Sequence, residues 1–300
     1  MGIVQESIMR EFNELKDFNL EEKQELFFTI YGNKFKAAGK KSGVIDRIIS
    51  LNKNTKPNPE KLAVIEGIWA LDLAKKYNTP IKYFLICLEK IHSIESQKLI
   101  RDYVQLAEES YIVSERVFNT LSEKENSQGV LAVCYLKPKS FEDIYVTNNS
   151  VVLILDGLEI PGNVGTIIRS ADATDIDCII INNKKTRLNH PKLMRSSMGA
   201  CFKVPIVDAD YDETIKWLKK NKYNIILTDT DAEKEYYELP YKGRVAIIMG
   251  SEKYGVSDTW YNSDYTGVSI PMLGDCDSLN VGVASTIILY EASLKNKGIK

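Results

Sequence analysis

Asn163 and Arg169 stand six positions apart in the glycine-bearing stretch from Asp156 to Asp172, near the start and along the second turn of one predicted helix. An arginine there, with few acids nearby in sequence, suits a phosphate or a ribose edge, because its planar guanidinium donates paired hydrogen bonds. Two later stretches carry comparable groups. In Met249-Gly-Ser-Glu-Lys-Tyr-Gly255 the chain turns through Gly250, presents Ser251 and Glu252, and closes at Gly255. Taken alone, Glu252 also fits an ordinary acidic turn residue. Between Ile270 and Ala284, Ser278 and Asn280 flank Leu279 where a helix begins, a place at which serine is most often only a cap.

Gly157, Gly162 and Gly165 let the backbone turn sharply between strand and helix and approach a ligand. Two nucleotide loops compete for such a segment, and both fail. A phosphate loop needs Lys and Ser/Thr after its second glycine, yet Gly162 is followed by Asn163 and Val164; the dinucleotide fingerprint needs a Gly-x-Gly pair, which is missing. His92 and His190 lie in no motif, so there is no Ser-His-Asp arrangement, and no metal-ligand cluster is legible.

These stretches are positioned by an alternation of apolar strands (Val151–Leu155, Cys178–Ile181, Ile225–Thr228, Val245–Met249 and a short Gly267–Ile270) with amphipathic helices. Continuous apolar strands imply a parallel sheet covered on both faces, and such sheets bind ligands beyond the carboxyl ends of their strands. The sequence therefore predicts an α/β domain over 151–300, preceded by a linker from Lys137 to Ser150. Residues 58–140 read as a smaller α/β unit, with a helix through Leu62, Ile65, Ile68 and Leu71, and strands at Tyr83–Leu88, Tyr111–Val113 and Val130–Leu136. Residues 1–57 read as a helical extension, with apolar positions Ile8, Phe12, Leu15, Leu26, Phe27 and Ile30.

Composition narrows the class further. Met1 to Arg10 has no basic stretch followed by an apolar core, and no run is long enough to span a membrane, so a cytoplasmic protein with no membrane partner is expected. The five cysteines form no close pair and read as free thiols. A net charge of −2 hides an uneven distribution: residues 33–58 carry seven Lys and Arg against Asp46, and residues 184–203 carry Lys184, Lys185, Arg187, Lys192, Arg195 and Lys203 with no acid. Either block could be a solvated face or a phosphate-binding one; Lys184, Lys185, Arg187 and Arg195 are the candidates for phosphate contact.

Order and spacing of Asn163-x-Gly165-x-x-x-Arg169, Gly250-Ser-Glu252-Lys-x-Gly255, and Ile270-Pro-Met followed by Ser278-Leu-Asn280-Val and Ala284 resemble the SpoU/TrmH branch of the SPOUT methyltransferases, over nearly all of residues 151–296. Residues 59–137, including Glu66-Gly67 and Asn126-Ser-Gln-Gly129, resemble the ribosomal-protein-type RNA-binding domain that precedes many such enzymes. The resemblance implies an α/β fold whose carboxyl-terminal segment makes a trefoil knot, a feature too rare for pattern reading to propose. It implies an RNA 2′-O-ribose methyltransferase that uses S-adenosylmethionine, needs no metal, and works as a homodimer in which Arg169 of one subunit serves the donor held by the other. The position of Arg169 is the one proposed in that family to activate the ribose hydroxyl, with Asn163, Glu252, Ser278 and Asn280 shaping the site. The donor is expected near Leu227, Thr228, Gly250, Ser251, Ile270, Met272 and Leu279.

Arginine keeps its proton in proteins, so Arg169 is better suited to orienting the hydroxyl and an adjacent phosphate than to removing a proton. Ribosomal RNA is the favoured substrate, because the extra RNA-binding domain is more typical of enzymes acting there. Transfer RNA is one alternative. A non-catalytic RNA-binding or ribosome-assembly protein that retains the fold is another, and it is disfavoured by the presence of Asn163, Arg169 and Asn280 together.

Overall fold

The apolar runs of the second half become the centre of a six-stranded sheet, all of whose pairings are parallel. The structure is a computed structural model describing residues 18–124 and 127–300, and the chain divides into two units, Met1–Leu136 and Lys137–Lys300. In the second unit the strand order is β11-β9-β10-β6-β7-β8, where β6 is Ser150–Asp156, β7 Cys178–Asn182, β8 Ile206–Asp208, β9 Asn224–Thr228, β10 Arg244–Met249 and β11 Tyr265–Val268. All seven residues of β6 are buried, which is what a strand covered on both faces requires. Successive side chains point to opposite faces. One face sends Val152, Ile154, Ile180 and Ile248 into a core with Leu218 of α8 (Tyr211–Lys220) and Trp260 of α9 (Asp258–Tyr261). Toward the other, α10 (Val281–Asn296) packs on β6 and on α6 (Pro161–Thr174), and α6 packs on α7 (Pro191–Ser197).

Two features of this sheet differ from the sequence reading. The last strand lies at Tyr265–Val268, two residues earlier than expected, and β8 was not foreseen. With only three residues β8 offers no period to detect, and its pairing with β7 is what makes it a strand. The stretch expected to be a linker belongs to the second unit: Lys139 N–H donates to Ile206 O at 2.7 Å, and the Phe141 ring stacks on Trp217 at 4.9 Å.

The first unit holds a mixed five-stranded sheet in the order β1-β4-β3-β5-β2: β1 Phe35–Ala37, β2 Leu62–Glu66, β3 Ile81–Ile86, β4 Ala107–Ile112 and β5 Val130–Tyr135. Leu62 to Glu66 is therefore a strand paired antiparallel to β5, not the first turns of a helix. The spacing of Leu62, Ile65 and Ile68 satisfied a helical period, but Gly67 at φ 92° breaks the chain there, and α3 begins only at Ile68 and ends at Lys76. The segment expected as an appended extension is also integrated: β1 pairs with β4, and Ile45, Ile48 and Leu51 of α2 (Gly43–Lys53) enter the core beside Leu62, Leu85 and Val133. A preceding helix, α1 (Leu20–Tyr31), starts at a capping box between Asn19 and Glu22. Ile8, Phe12 and Leu15 lie outside the described residues, as does Asn126.

Candidate active site

The turn after β10 is closed by two backbone hydrogen bonds, Ser251 N–H to Gly255 O at 3.0 Å and Gly255 N–H to Ser251 O at 2.9 Å. It is so tight that a Cβ on Gly250 would lie 2.1 Å from the Gly255 carbonyl carbon. Glycine is thus required at 250 by the turn's own closure, and the closure fixes Glu252 at the carboxyl edge of the sheet. There the Asn163 side-chain amide donates to the Glu252 carboxylate. Asn280 Nδ2 in turn lies 3.3 Å from Asn163 Oδ1, while Asn280 Oδ1 accepts from Gly282 N–H at 3.0 Å and caps α10. The cap is thus Asn280 and not Ser278, and with the turn acid Glu252 it belongs to one hydrogen-bonded chain joining all three motifs. The carboxylate at its end accepts hydrogen bonds only.

Asp156, the last residue of β6, supports this turn from within. It is buried, and its carboxylate accepts from Ser257 N–H at 2.8 Å and from the Tyr211 hydroxyl at 2.6 Å. Burial, reinforced by the Asp156 carboxylate, pushes the Tyr211 phenol above its usual range, so it stays a donor. The sequence reading used Asp156 only as the start of a motif; its partners come from segments 55 and 101 positions away.

A cleft opens at the carboxyl ends of β9, β10 and β11, the edge at which parallel sheets bind ligands. From the expected donor-site set, Thr228, Ile270, Met272 and Leu279 line it, and so does Ser278. Leu227 instead points into the sheet core, because alternation puts it on the face opposite to that of its neighbours, and Gly250 and Ser251 shape the turn without lining the cleft. Asp229, Thr230, Met249, Val268, Ser269, Ala284 and Ile288 also line it and were not foreseen. Asp229 alone had a sequence signal, an acid directly after an apolar strand. The lining fits a nucleoside-bearing donor: apolar side chains from three elements can face a flat base, and strand-end backbone groups can meet its polar edge. Asn280 follows cleft-lining Leu279 directly, and Glu252 stands three residues beyond cleft-lining Met249.

Arg169 is not part of that hydrogen-bonded chain. It is exposed on α6 and makes no hydrogen bond or ion pair among the described residues. Six residues along a helix place it about 9 Å from Asn163 and about 120° around the axis. Gly165 serves packing and not a ligand: a Cβ there would lie 1.9 Å from Ser196 Oγ and 2.6 Å from Leu193 O, so its absence lets α6 and α7 touch. In the basic block, Lys184 pairs with Asp208, and Lys203 pairs with Asp172 at 2.8 Å and Asp175 at 3.5 Å. Distant acids thus offset part of a charge that looked unopposed in sequence. Lys185, Arg187 and Arg195 are exposed. Among the described residues no group of three or more His, Cys, Asp or Glu is placed to hold a metal, and no helix is long and apolar enough to cross a membrane.

Comparison with known proteins places this geometry in a family. The sequence profile of the SpoU rRNA Methylase family matches residues 150–290. The chain is 29% identical over 235 residues to the 23S rRNA (guanosine(2553)-2′-O)-methyltransferase RlmP of Bacillus subtilis (strain 168), covering 74% of this chain and 93% of that protein. It is 32% identical over 213 residues to a Staphylococcus saprophyticus protein assigned to the TrmH family of tRNA/rRNA methyltransferases, covering 67% and 84%. Its fold matches the AdoMet-bound rRNA methyltransferase of Sinorhizobium meliloti with a TM-score of 0.79 at 24% identity, over 87% of this chain and 98% of that one. With the three motifs meeting beside a cleft on a parallel sheet, the chain belongs to the SpoU/TrmH family of RNA methyltransferases.

Proposed function

We propose that this enzyme methylates a ribose 2′-hydroxyl of ribosomal RNA in the cytoplasm, with S-adenosylmethionine as the donor. The observation that carries the reading is the convergence of Asn163, Glu252 and Asn280 beside the cleft, from three segments far apart in sequence. The ribosomal substrate is supported by the Bacillus relative, which is named as a 23S rRNA 2′-O-methyltransferase. When bound, the donor supplies a methyl group already activated on a sulfonium. The chain then has to hold two reactants in line and manage the hydroxyl proton. Ile270, Met272 and Leu279 would hold the donor's base, with Thr228 and the strand-end backbone beside it. Glu252, oriented by Asn163, is an acceptor-only group beside the cleft, and Arg169 would bind the acceptor's ribose and phosphate.

Arg169 stands apart from the cluster, and we propose that a homodimer brings the Arg169 of one subunit to the cleft of its partner. The small residues Gly282 and Ser285 do not support this, because Gly282 packs against Thr166 of the same chain and Ser285 is fully buried. The support is the exposed apolar face of α10, where Val283 is 49% and Tyr290 45% accessible two turns apart, on the helix that packs against α6. A carboxyl-terminal thread of the knotted type is supported by bonds to both flanks of the 229–243 loop: Ser269 N–H donates to Lys234 O at 2.8 Å, and Asn296 Nδ2 to Tyr241 O at 2.7 Å. The first unit and the exposed basic residues Lys184, Lys185, Arg187 and Arg195 would select and hold the RNA.

The test is methyl transfer by the purified chain from isotopically labelled donor to ribosomal RNA taken from cells lacking the gene, followed by mass-spectrometric mapping. A labelled ribose at one site is expected. Label on a base, or none on ribosomal RNA with transfer RNA labelled instead, overturns the reading. Sedimentation at micromolar concentration is expected to show a species of twice 34.0 kDa, and a monomer would remove the shared site.

A further inference from the structure

Asp229, the residue directly after β9, is the one ionisable side chain among those lining the cleft. Its carboxylate is held from two sides: Asp231 N–H donates to Oδ1 at 3.0 Å, and the Tyr261 hydroxyl donates to Oδ2 at 2.5 Å. Its backbone is pinned as well, by a 3.0 Å bond from Asp229 N–H to Val268 O. An ionised carboxylate can accept about four hydrogen bonds, so each oxygen keeps one acceptor position after these two. Two acceptors on one planar group match two hydroxyls on adjacent carbons.

The rest of the lining says which part of a ligand reaches this carboxylate. The hydroxyls of Thr228 and Ser269 donate to Ile248 O at 2.8 Å and Ala232 O at 3.0 Å, so their protons are engaged, and as neutral acceptors they are weaker partners for a diol than the Asp229 carboxylate. Met249, Val268, Ile270 and Leu279 offer an apolar wall for a flat base. No Lys or Arg lines the cleft among the described residues, so a ligand carboxylate has no cation there and would be repelled by Asp229. The interior is therefore built for the nucleoside, with any amino-acid portion directed to the mouth.

We propose that Asp229, oriented by Tyr261, accepts both ribose hydroxyls of the donor's nucleoside and makes the cleft selective for ribonucleosides over 2′-deoxy analogues. The proposal rests on the donor reading given above. The missing hydroxyl of a deoxy analogue would leave a charged acceptor unpaired, a loss on the scale of about 10- to 100-fold in affinity.

Calorimetry on the full-length protein tests this with three ligands: S-adenosylhomocysteine, 5′-methylthioadenosine and 2′-deoxy-5′-methylthioadenosine. The unmodified protein is expected to bind the first two and to weaken by about 10-fold or more for the third. Asp229→Asn should weaken both ribose ligands and narrow their advantage over the deoxy analogue, and Tyr261→Phe should do the same to a smaller extent with the carboxylate still present. Equal binding of the deoxy analogue by the unmodified protein overturns the proposal with no variant required. So does a loss in Asp229→Asn confined to S-adenosylhomocysteine, which would mean that the carboxylate meets the ammonium group. Failure of the unmodified protein to bind any of the three would overturn the donor reading itself.

Discussion

The Asn163 side-chain amide donates to the Glu252 carboxylate and so ties the first turn of α6 to the turn after β10, across 89 positions of sequence. Asn280 extends the connection to the start of α10. Groups that act as one unit give non-additive losses when removed. Asn163→Ala and Glu252→Ala should each lower methyl transfer by about 10- to 100-fold, with the double variant little worse than the poorer single one. Single-turnover rates on the four proteins provide the check, and strictly multiplicative losses would show that the two act separately.

Arg169→Ala should reduce methyl transfer by at least about 100-fold while leaving S-adenosylhomocysteine affinity within about twofold, because Arg169 lies off the cleft lining and is proposed to act on the acceptor. Lysine should rescue little, since its ammonium lacks the planar fork that holds two oxygens. Substantial activity in Arg169→Lys would mean that charge alone suffices. Normal activity in Arg169→Ala would move the acceptor site toward Arg195.

Gly165→Ala should destabilise the second unit by about 1–3 kcal/mol, since the new methyl meets the α7 backbone. Removing the nearest obstacle with Ser196→Ala should not restore stability, because Leu193 O remains 2.6 Å from the added carbon. Chemical denaturation of the single and double variants distinguishes the two contributions. Full recovery in the double variant would show that the serine hydroxyl was the only conflict.

Burial holds the Asp177 carboxyl above its usual value of 3.8, although Val151 N–H and the Ser150 hydroxyl both donate to it. A carboxyl raised in the folded state favours folding fully below the unfolded value, and that contribution is lost as pH rises through the folded one. Asp177→Asn keeps an oxygen for both donors and removes the titration. Its melting temperature relative to the unmodified protein should therefore be lowest below pH 3.8 and rise as the pH increases through the raised folded value. Parallel pH profiles of the two proteins would show that Asp177 contributes nothing to the dependence.

The sequence by itself determined the elements whose periods are long and whose neighbours are local. Val151–Leu155, Cys178–Ile181 and Val245–Met249 are continuous apolar runs that only a doubly covered sheet accommodates, and the motif spacing of Asn163, Glu252 and Asn280 marked the right ends of the right strands. Short or ambiguous elements were decided by tertiary pairing: β8 has too few residues to show a period, and Leu62–Glu66 fits a helical spacing until β5 lies beside it. Charge followed the same division, since the acids that offset Lys184 and Lys203, Asp208 and Asp172, come from outside the basic block. The site itself shows the limit most directly. Asp229 carries no instruction in sequence to meet Tyr261, nor Asp156 to meet Tyr211 and Ser257, because a hydrogen bond forms within about 3 Å in space whatever the separation along the chain. Residue type and spacing named the chemistry; only the folded sheet edge decided which oxygens and amides face one another.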